Sequence, residues 1–257
     1  MSDIYQVGHL ERVPLGTLYP GIVAHVRRLL GKLPNAALII DYTGVGRPVF
    51  DLFTSAGISP VGVLITGGAV ETHDGPIYGV PKLTLVSRLQ ALLHEGRLKI
   101  HKELSEAETL VRELQDFRVE FTAAGHLTFN ARSGRHDDLV LALAIAVWQA
   151  HGGGMASAGE FELTRQRAAA LGVPSAFGPR YFVGVDLGQS RDPTAIAVVR
   201  RVSLTDPAAA EAGRGPEPIW APGSVEWQRQ QDEREGRLPA TGETEFCREL
   251  HDEAISG

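Results

Sequence analysis

Four aspartates stand where a carboxylate is costly unless something compensates it. Asp41 ends the apolar run Ala36-Ala37-Leu38-Ile39-Ile40 and precedes Tyr-Thr-Gly. Asp186 follows Tyr181-Phe182-Val183-Gly184-Val185 and precedes Leu-Gly. Asp137 and Asp138 open the apolar stretch LVLALAIAVWQA. A charge beside a core needs a partner, and a divalent cation is a direct one. Ligands of open α/β sheets gather at strand ends, where Asp41 and Asp186 are expected. Three or four carboxylates could hold two Mg²⁺ or Mn²⁺ ions about 4 Å apart, activating water and stabilising the leaving oxygen in phosphodiester cleavage. Hard oxygen ligands favour those ions over zinc. The single cysteine, Cys247, rules out a cysteine-built zinc site and a disulfide framework.

Taken singly, each acid has a plainer role. An Asp between a strand and a Gly forms turns, and an Asp at a helix start is favoured by capping and the helix dipole. His136 reads as a local hydrogen-bonding residue before it reads as a ligand. Thr43-Gly44-Val45-Gly46 hints at a phosphate loop but lacks the Gly-Lys-Ser/Thr of a Walker A motif, which occurs nowhere in the chain. The argument for chemistry rests on the acids occurring together.

The elements that must position them follow from periodicity. Residues 4–13 read as a strand and 18–30 as a helix, with apolar positions at Leu18, Ile22, Val26 and Leu29. The uninterrupted apolar runs at 36–41 and 61–66 suggest parallel strands buried on both faces. With a helix near 48–55 between them, they make a right-handed βαβ unit. Residues 67–79 read as a loop or hairpin, 83–95 as an amphipathic helix and 97–100 as a short strand. A capping-box pattern, Ser105 to Glu108, opens a helix running to about residue 115. Residues 117–122 and 126–131 look like paired strands. Residues 139–150 form a helix apolar nearly all round, which predicts burial. After Gly152-Gly153-Gly154 come a helix over 160–171, a loop over 172–179 and a hairpin of strands 181–187 and 194–202. A short helix is possible at 246–254.

Composition sets the outer limits. The 257 residues are 43% hydrophobic and 22% charged, ordinary for a globular α/β domain. No run of about 18 apolar residues exists, so no membrane span is expected. The start, MSDIYQVGHLERV, lacks the layout of a secretory signal, and a reducing, cytoplasmic compartment is expected. The net charge of −6 is uneven. Residues 203–257 hold 12 acids and 5 bases, leaving 19 acids and 20 bases in residues 1–202. This acidic tail, with 5 Pro and 6 Gly, is expected to be flexible. Overall charge argues neither for nor against nucleic acid. Arg47, Lys82, Arg132 and Arg135, in loops or at element starts near the acids, are candidate phosphate contacts; solvated surface charge is the plainer reading of each.

Several segments together resemble one family. DYTGVGRPVFDLF, PVGVLITGG, YGVPKLTLVSRLQALLHEGRLKI, SEAETLVRELQDF and ARSGRHDDLVLALAIAVWQA are similar to the nuclease domain of phage large terminase subunits. YFVGVDLGQSRDPTAIAVVRR resembles the same family's first strand and first hairpin. The resemblance implies a ribonuclease H-like fold, a mixed five-stranded sheet with helices on both faces. It also implies a DNA endonuclease that cuts concatemeric viral DNA with two Mg²⁺ or Mn²⁺ ions. The family's first acid matches Asp186, its second Asp41 and its third Asp138, with Asp137 beside it. Double-stranded DNA is the implied substrate, and a terminase motor, small terminase subunit or portal the implied partners.

Two departures stand out. The family's ATPase motor has no counterpart in these residues, and the order is rotated. The hairpin that should precede Ile4 follows the last helix, so the chain reads as circularly permuted. Residues 1–202 would be the nuclease domain, with 151–180 as a connecting segment and 181–202 as the family's first hairpin; residues 203–257 would be the tail. Duplication followed by truncation, or an engineered fusion, would both give this order. Two other functions compete. One is a non-catalytic DNA-binding or assembly fragment of a terminase. The other is an actin/sugar-kinase-like ATPase, suggested by Val-Asp-Leu-Gly-Gln-Ser but short of a second phosphate loop.

Overall fold

The computed structural model describes residues 3–116, 118–121, 127–130, 137–153, 181–188 and 192–202. Those residues all belong to the unit Met1–Ile219. Their strands are β1 (Ile4–Val13), β2 (Ala36–Asp41), β3 (Val61–Thr66), β4 (Thr72–Asp74), β5 (Ile77–Pro81), β6 (Leu98–Ile100), β7 (Arg118–Phe121), β8 (Leu127–Asn130), β9 (Tyr181–Asp186) and β10 (Thr194–Val202). The helices are α1 (Tyr19–Leu30), α2 (Gly46–Ser55), α3 (Lys82–His94), α4 (Ala107–Asp116) and α5 (Asp138–Ala150).

Eight strands form one mixed sheet in the order β4-β5-β3-β2-β9-β10-β1-β6. The hairpin β9–β10 lies at its centre. β9 pairs in parallel with β2, with Ile40 opposite Val185, and β10 pairs antiparallel with β1, with Val13 opposite Thr194. The resemblance implied a five-stranded sheet; the observed sheet has eight strands, within which β3, β2, β9, β10 and β1 are contiguous. β5 adds in parallel to β3, β4 folds back on β5, and β6 joins β1. Residues 67–79 were expected to be a loop or hairpin, and β4 and β5 form a hairpin that runs on to Pro81; β6 falls within the short strand expected at 97–100. β7 and β8 pair as a separate antiparallel ribbon, with Val119 opposite Phe129. The expected helices at 160–171 and 246–254, the loop at 172–179 and the tail at 203–257 lie outside the described residues.

Helices cover both faces of the sheet. Strand alternation sends Leu38, Ile40, Val183, Val185, Ile196 and Val198 into one apolar cluster with Ile22 and Val26 of α1 and Val49 and Phe53 of α2. The intervening residues of β2 and β9, among them Ile39, Asp41, Gly184 and Asp186, therefore face the other side. That side is covered by α5, which packs on β9, β10, β2 and β1. Its apolar circumference is buried from Leu139 to Trp148 except at the partly buried Leu141, as a helix laid across a sheet requires.

Gly184 sets how closely α5 approaches. A Cβ there would stand 2.0 Å from the carbonyl oxygen of Ala142 and 3.0 Å from the Ala146 methyl. Only a residue without a side chain lets the helix backbone lie against this strand. At the far end of α5, the ring of Trp148 is fully buried, its Nε1 donates to Glu71 at 3.1 Å, and Gly153 lies against the ring.

Candidate functional site

The period-two alternation that buries Leu38 and Ile40 also brings Asp41 out on the α5 face, and the same holds for Val183, Val185 and Asp186. Because β2 and β9 are parallel neighbours with both acids at their C-terminal ends, the two carboxyls meet. The Asp41 and Asp186 side chains lie within hydrogen-bond reach of each other. Burial, followed by the charges of Asp41 and Asp138, pushes Asp186 well above the ordinary carboxylate range. Burial also raises Asp41, opposed by hydrogen bonds from Thr43 and Asp186 and by the charge of Lys82. One proton held between two carboxylates is the expected answer to like charges in a buried place.

Asp138 is the first residue of α5, and its carboxyl is buried beside this pair, acting on Asp186 through space. Asp137 precedes it, half-buried, and accepts from Lys82 Nζ at 3.1 Å. Thus Asp41, Asp137, Asp138 and Asp186 are gathered at one place by two strand ends and one helix start. Among the described residues, however, no three His, Cys, Asp or Glu side chains are grouped as a ready-made cation site.

The candidate phosphate contacts are placed unevenly. Lys82 opens α3 beside Asp137 and within electrostatic reach of Asp41. Arg47 is exposed in the first turn of α2, one residue past Gly46, where an added Cβ would stand 2.4 Å from the Asp41 carbonyl oxygen. That close approach keeps the α2 start next to the end of β2. Arg132, Arg135 and His136 lie outside the described residues.

Three site residues went unforeseen. Thr43 donates its backbone N–H to Asp41 Oδ1 at 2.8 Å, and its Oγ1 accepts from Ile65 N at 3.1 Å, tying Asp41 to β3. Glu113, buried on α4, accepts from the backbone N–H groups of Leu139 and Val140, both at 3.1 Å, and from Arg12. Burial pushes Glu113 up to about 7, against the opposing pull of Arg12 and those two N–H groups. Arg12, on β1, also lies 3.6 Å from Asp138 Oδ2. A signal for Glu113 was available, since it stands three residues after Leu110 and six after Ala107, within the buried stripe of an amphipathic helix.

Comparison with known proteins gives a partial match. No protein-family model matches the chain, and no solved structure does. The curated terminase large subunit of Thermus phage G20c is 27% identical over 169 residues, which is 66% of this chain and 31% of that protein. That of Thermus virus P23-45 is 27% identical over 162 residues, 63% of this chain and 30% of that protein. The chain is similar to phage large terminase subunits over that span. It covers about a third of the length of these terminase relatives. No helix among the described residues is long and apolar enough to cross a membrane.

Proposed function

We propose that this chain is a terminase-type nuclease, an endonuclease that cleaves double-stranded DNA with divalent metal. The observation that carries the reading is the meeting of Asp41 and Asp186 at adjacent strand ends, with Asp138 opening the helix laid over them. The strand order β3-β2-β9-β10-β1 supports a ribonuclease H-like sheet entered at a rotated position. In that reading β9 and β10 are the family's first hairpin, β1 its third strand and β2 its fourth.

The residues fit a hard cation at the pair. Asp41 and Asp186 offer oxygen ligands within hydrogen-bond reach of each other, and a bound cation would stabilise both as carboxylates in place of the proton that burial favours. Asp41, Asp138 and Asp186 would hold Mg²⁺ or Mn²⁺, with Asp137 at the margin. When bound, such ions supply an activated water and stabilise the leaving oxygen. The chain's own part is orientation. Thr43 fixes one oxygen of Asp41, the strand pairing sets the spacing of Asp41 and Asp186, and Lys82 neutralises Asp137. Arg47 and Lys82, with Arg132 and Arg135, would meet the phosphate backbone. Concatemeric phage DNA is the proposed substrate and a packaging motor, small subunit or portal the proposed partner, both by similarity to the terminase relatives.

One observation favours a second reading, a non-catalytic DNA-binding fragment: among the described residues no three-ligand cation group is preformed. Incubation of supercoiled plasmid with the full chain and Mn²⁺ or Mg²⁺, with and without EDTA, separates the two. The nuclease reading expects EDTA-sensitive nicking or linearisation that Asp186→Asn abolishes. DNA binding without cleavage at either metal supports the second reading instead.

A further inference from the structure

A buried ionic chain outside the aspartate cluster ends on one of its members. Glu113 of α4, Arg12 of β1 and Asp138 of α5 come from three different elements. Glu113 is 7% exposed and Asp138 6%. One Glu113 oxygen takes the backbone N–H groups of Leu139 and Val140 at 3.1 Å each; the other takes the Arg12 guanidinium, which reaches on to Asp138 Oδ2 at 3.6 Å. Glu113 thus holds the two residues that follow Asp138 in the first turn of α5, and the Asp138 carboxylate is faced by a cation that Glu113 orients.

Stability alone is a poor reason for this arrangement. Burying a carboxylate and a guanidinium is costly, and apolar residues of similar size often serve a fold as well. A neutral Ser or Asn could cap the helix without a buried charge. What a buried acid adds is a second contact, the one that aims Arg12. In metal sites, partners that orient a ligand commonly affect affinity about 10–100-fold without touching the ion.

We infer that Glu113 and Arg12 are positioning residues for Asp138, fixing its carboxylate toward the Asp41–Asp186 pair. The inference rests on the reading of Asp138 as a metal ligand. A merely structural pair would change stability and leave cation binding alone.

The test is Mn²⁺ titration of the full chain without DNA, followed calorimetrically, alongside thermal unfolding in EDTA. Arg12→Met leaves the Glu113 cap on α5 in place, and Glu113→Gln keeps an acceptor for it, so both should fold. Each is expected to weaken Mn²⁺ binding by about 10-fold or more, with Arg12→Lys recovering part of the loss. Folded Arg12→Met and Glu113→Gln proteins that bind Mn²⁺ within about twofold of the parent would overturn the inference. A parent that binds Mn²⁺ but never cuts DNA sinks the nuclease reading alone, since the affinity comparison still decides the positioning roles. A parent that binds no Mn²⁺ removes both.

Discussion

Asp41 and Asp186 end neighbouring parallel strands, and burial together with the charge of Asp41 pushes Asp186 well above the ordinary carboxylate range. In the metal-free protein the pair is therefore a local cost, because full ionisation would set two buried like charges side by side. Asp186→Asn keeps the shape and offers an amide N–H to Asp41. It should raise the Tm in EDTA while abolishing cleavage. Each 1 kcal/mol relieved corresponds to roughly 2–4 °C for a domain of this size. A lower Tm for the variant in a thermal scan at pH 7.5 would show that the pair stabilises the fold rather than straining it.

Gly184→Ala should be among the most damaging single-atom additions in the sheet. The new methyl would press on the backbone of Ala142, which cannot rotate away as a side chain can. Overpacking of this kind costs about 1–3 kcal/mol or more. Because relief requires α5 to lift, Asp138 should move with it and Mn²⁺ affinity should fall together with stability. Urea unfolding and metal titration of the same sample check both halves. A variant with parental stability would mean that α5 shifts without cost.

Tyr5 makes the alkaline limit predictable. Its ring is buried on β1, its hydroxyl lies 2.8 Å from His151 Nδ1, and burial pushes it up to about 12. Burial, with the charge of Arg88, also lowers His151, favouring the neutral ring that accepts this hydrogen bond. A raised acid contributes stability that is fully present below its ordinary value of about 10 and lost as the pH climbs through about 12. Tyr5→Phe should therefore cost about 1 kcal/mol at neutral pH and flatten the decline of Tm between pH 10 and 12. Parallel curves for parent and variant across that window would exclude Tyr5 as the titrating group.

DNA contact has its own signature. If Lys82 and Arg47 meet phosphates, replacing either with Ala should reduce the slope of log K against log salt by about 1, equally for unrelated sequences. Lys82→Ala also leaves Asp137 without its 3.1 Å partner, so part of its effect should be additional repulsion of DNA. Arg132→Ala and Arg135→Ala belong in the same series. Four unchanged slopes would reject the phosphate assignment for all of them.

The parts of this molecule that could be read from sequence are those whose signal is local. β2, β3 and β9 are uninterrupted apolar runs ending in a polar residue, and α5 is apolar all round, so the four aspartates stood out as charges in the wrong company. α4 was expected to open at a Ser105 capping box, yet it begins at Ala107, after a turn in which Ala107 N donates to Leu104 O. β5 was foreseen only as part of a loop or hairpin, and its pairing with β3, which follows no local pattern, was not. Glu113 and Arg12 were missed for a related reason. Glu113 could be placed on the buried stripe of an amphipathic helix, but Arg12 is one base in a mixed strand, and their contact across 101 positions is not a local signal. Thr43 was read within a possible phosphate loop, whereas its bonds run to Asp41 and Ile65.

The central place of the β9–β10 hairpin has a consequence for biosynthesis. A ribosome makes β1, β2 and α5 long before it makes the two strands that lie between β1 and β2. Until residue 202 has emerged, the nascent chain carries two open sheet edges facing an empty slot, and an apolar helix with no strands beneath its middle. Open edges and uncovered apolar surface recruit other chains. Stalled or truncated products ending near residue 153 should therefore be bound by chaperones or lost to aggregates, and release of the completed chain should coincide with the closing of the sheet.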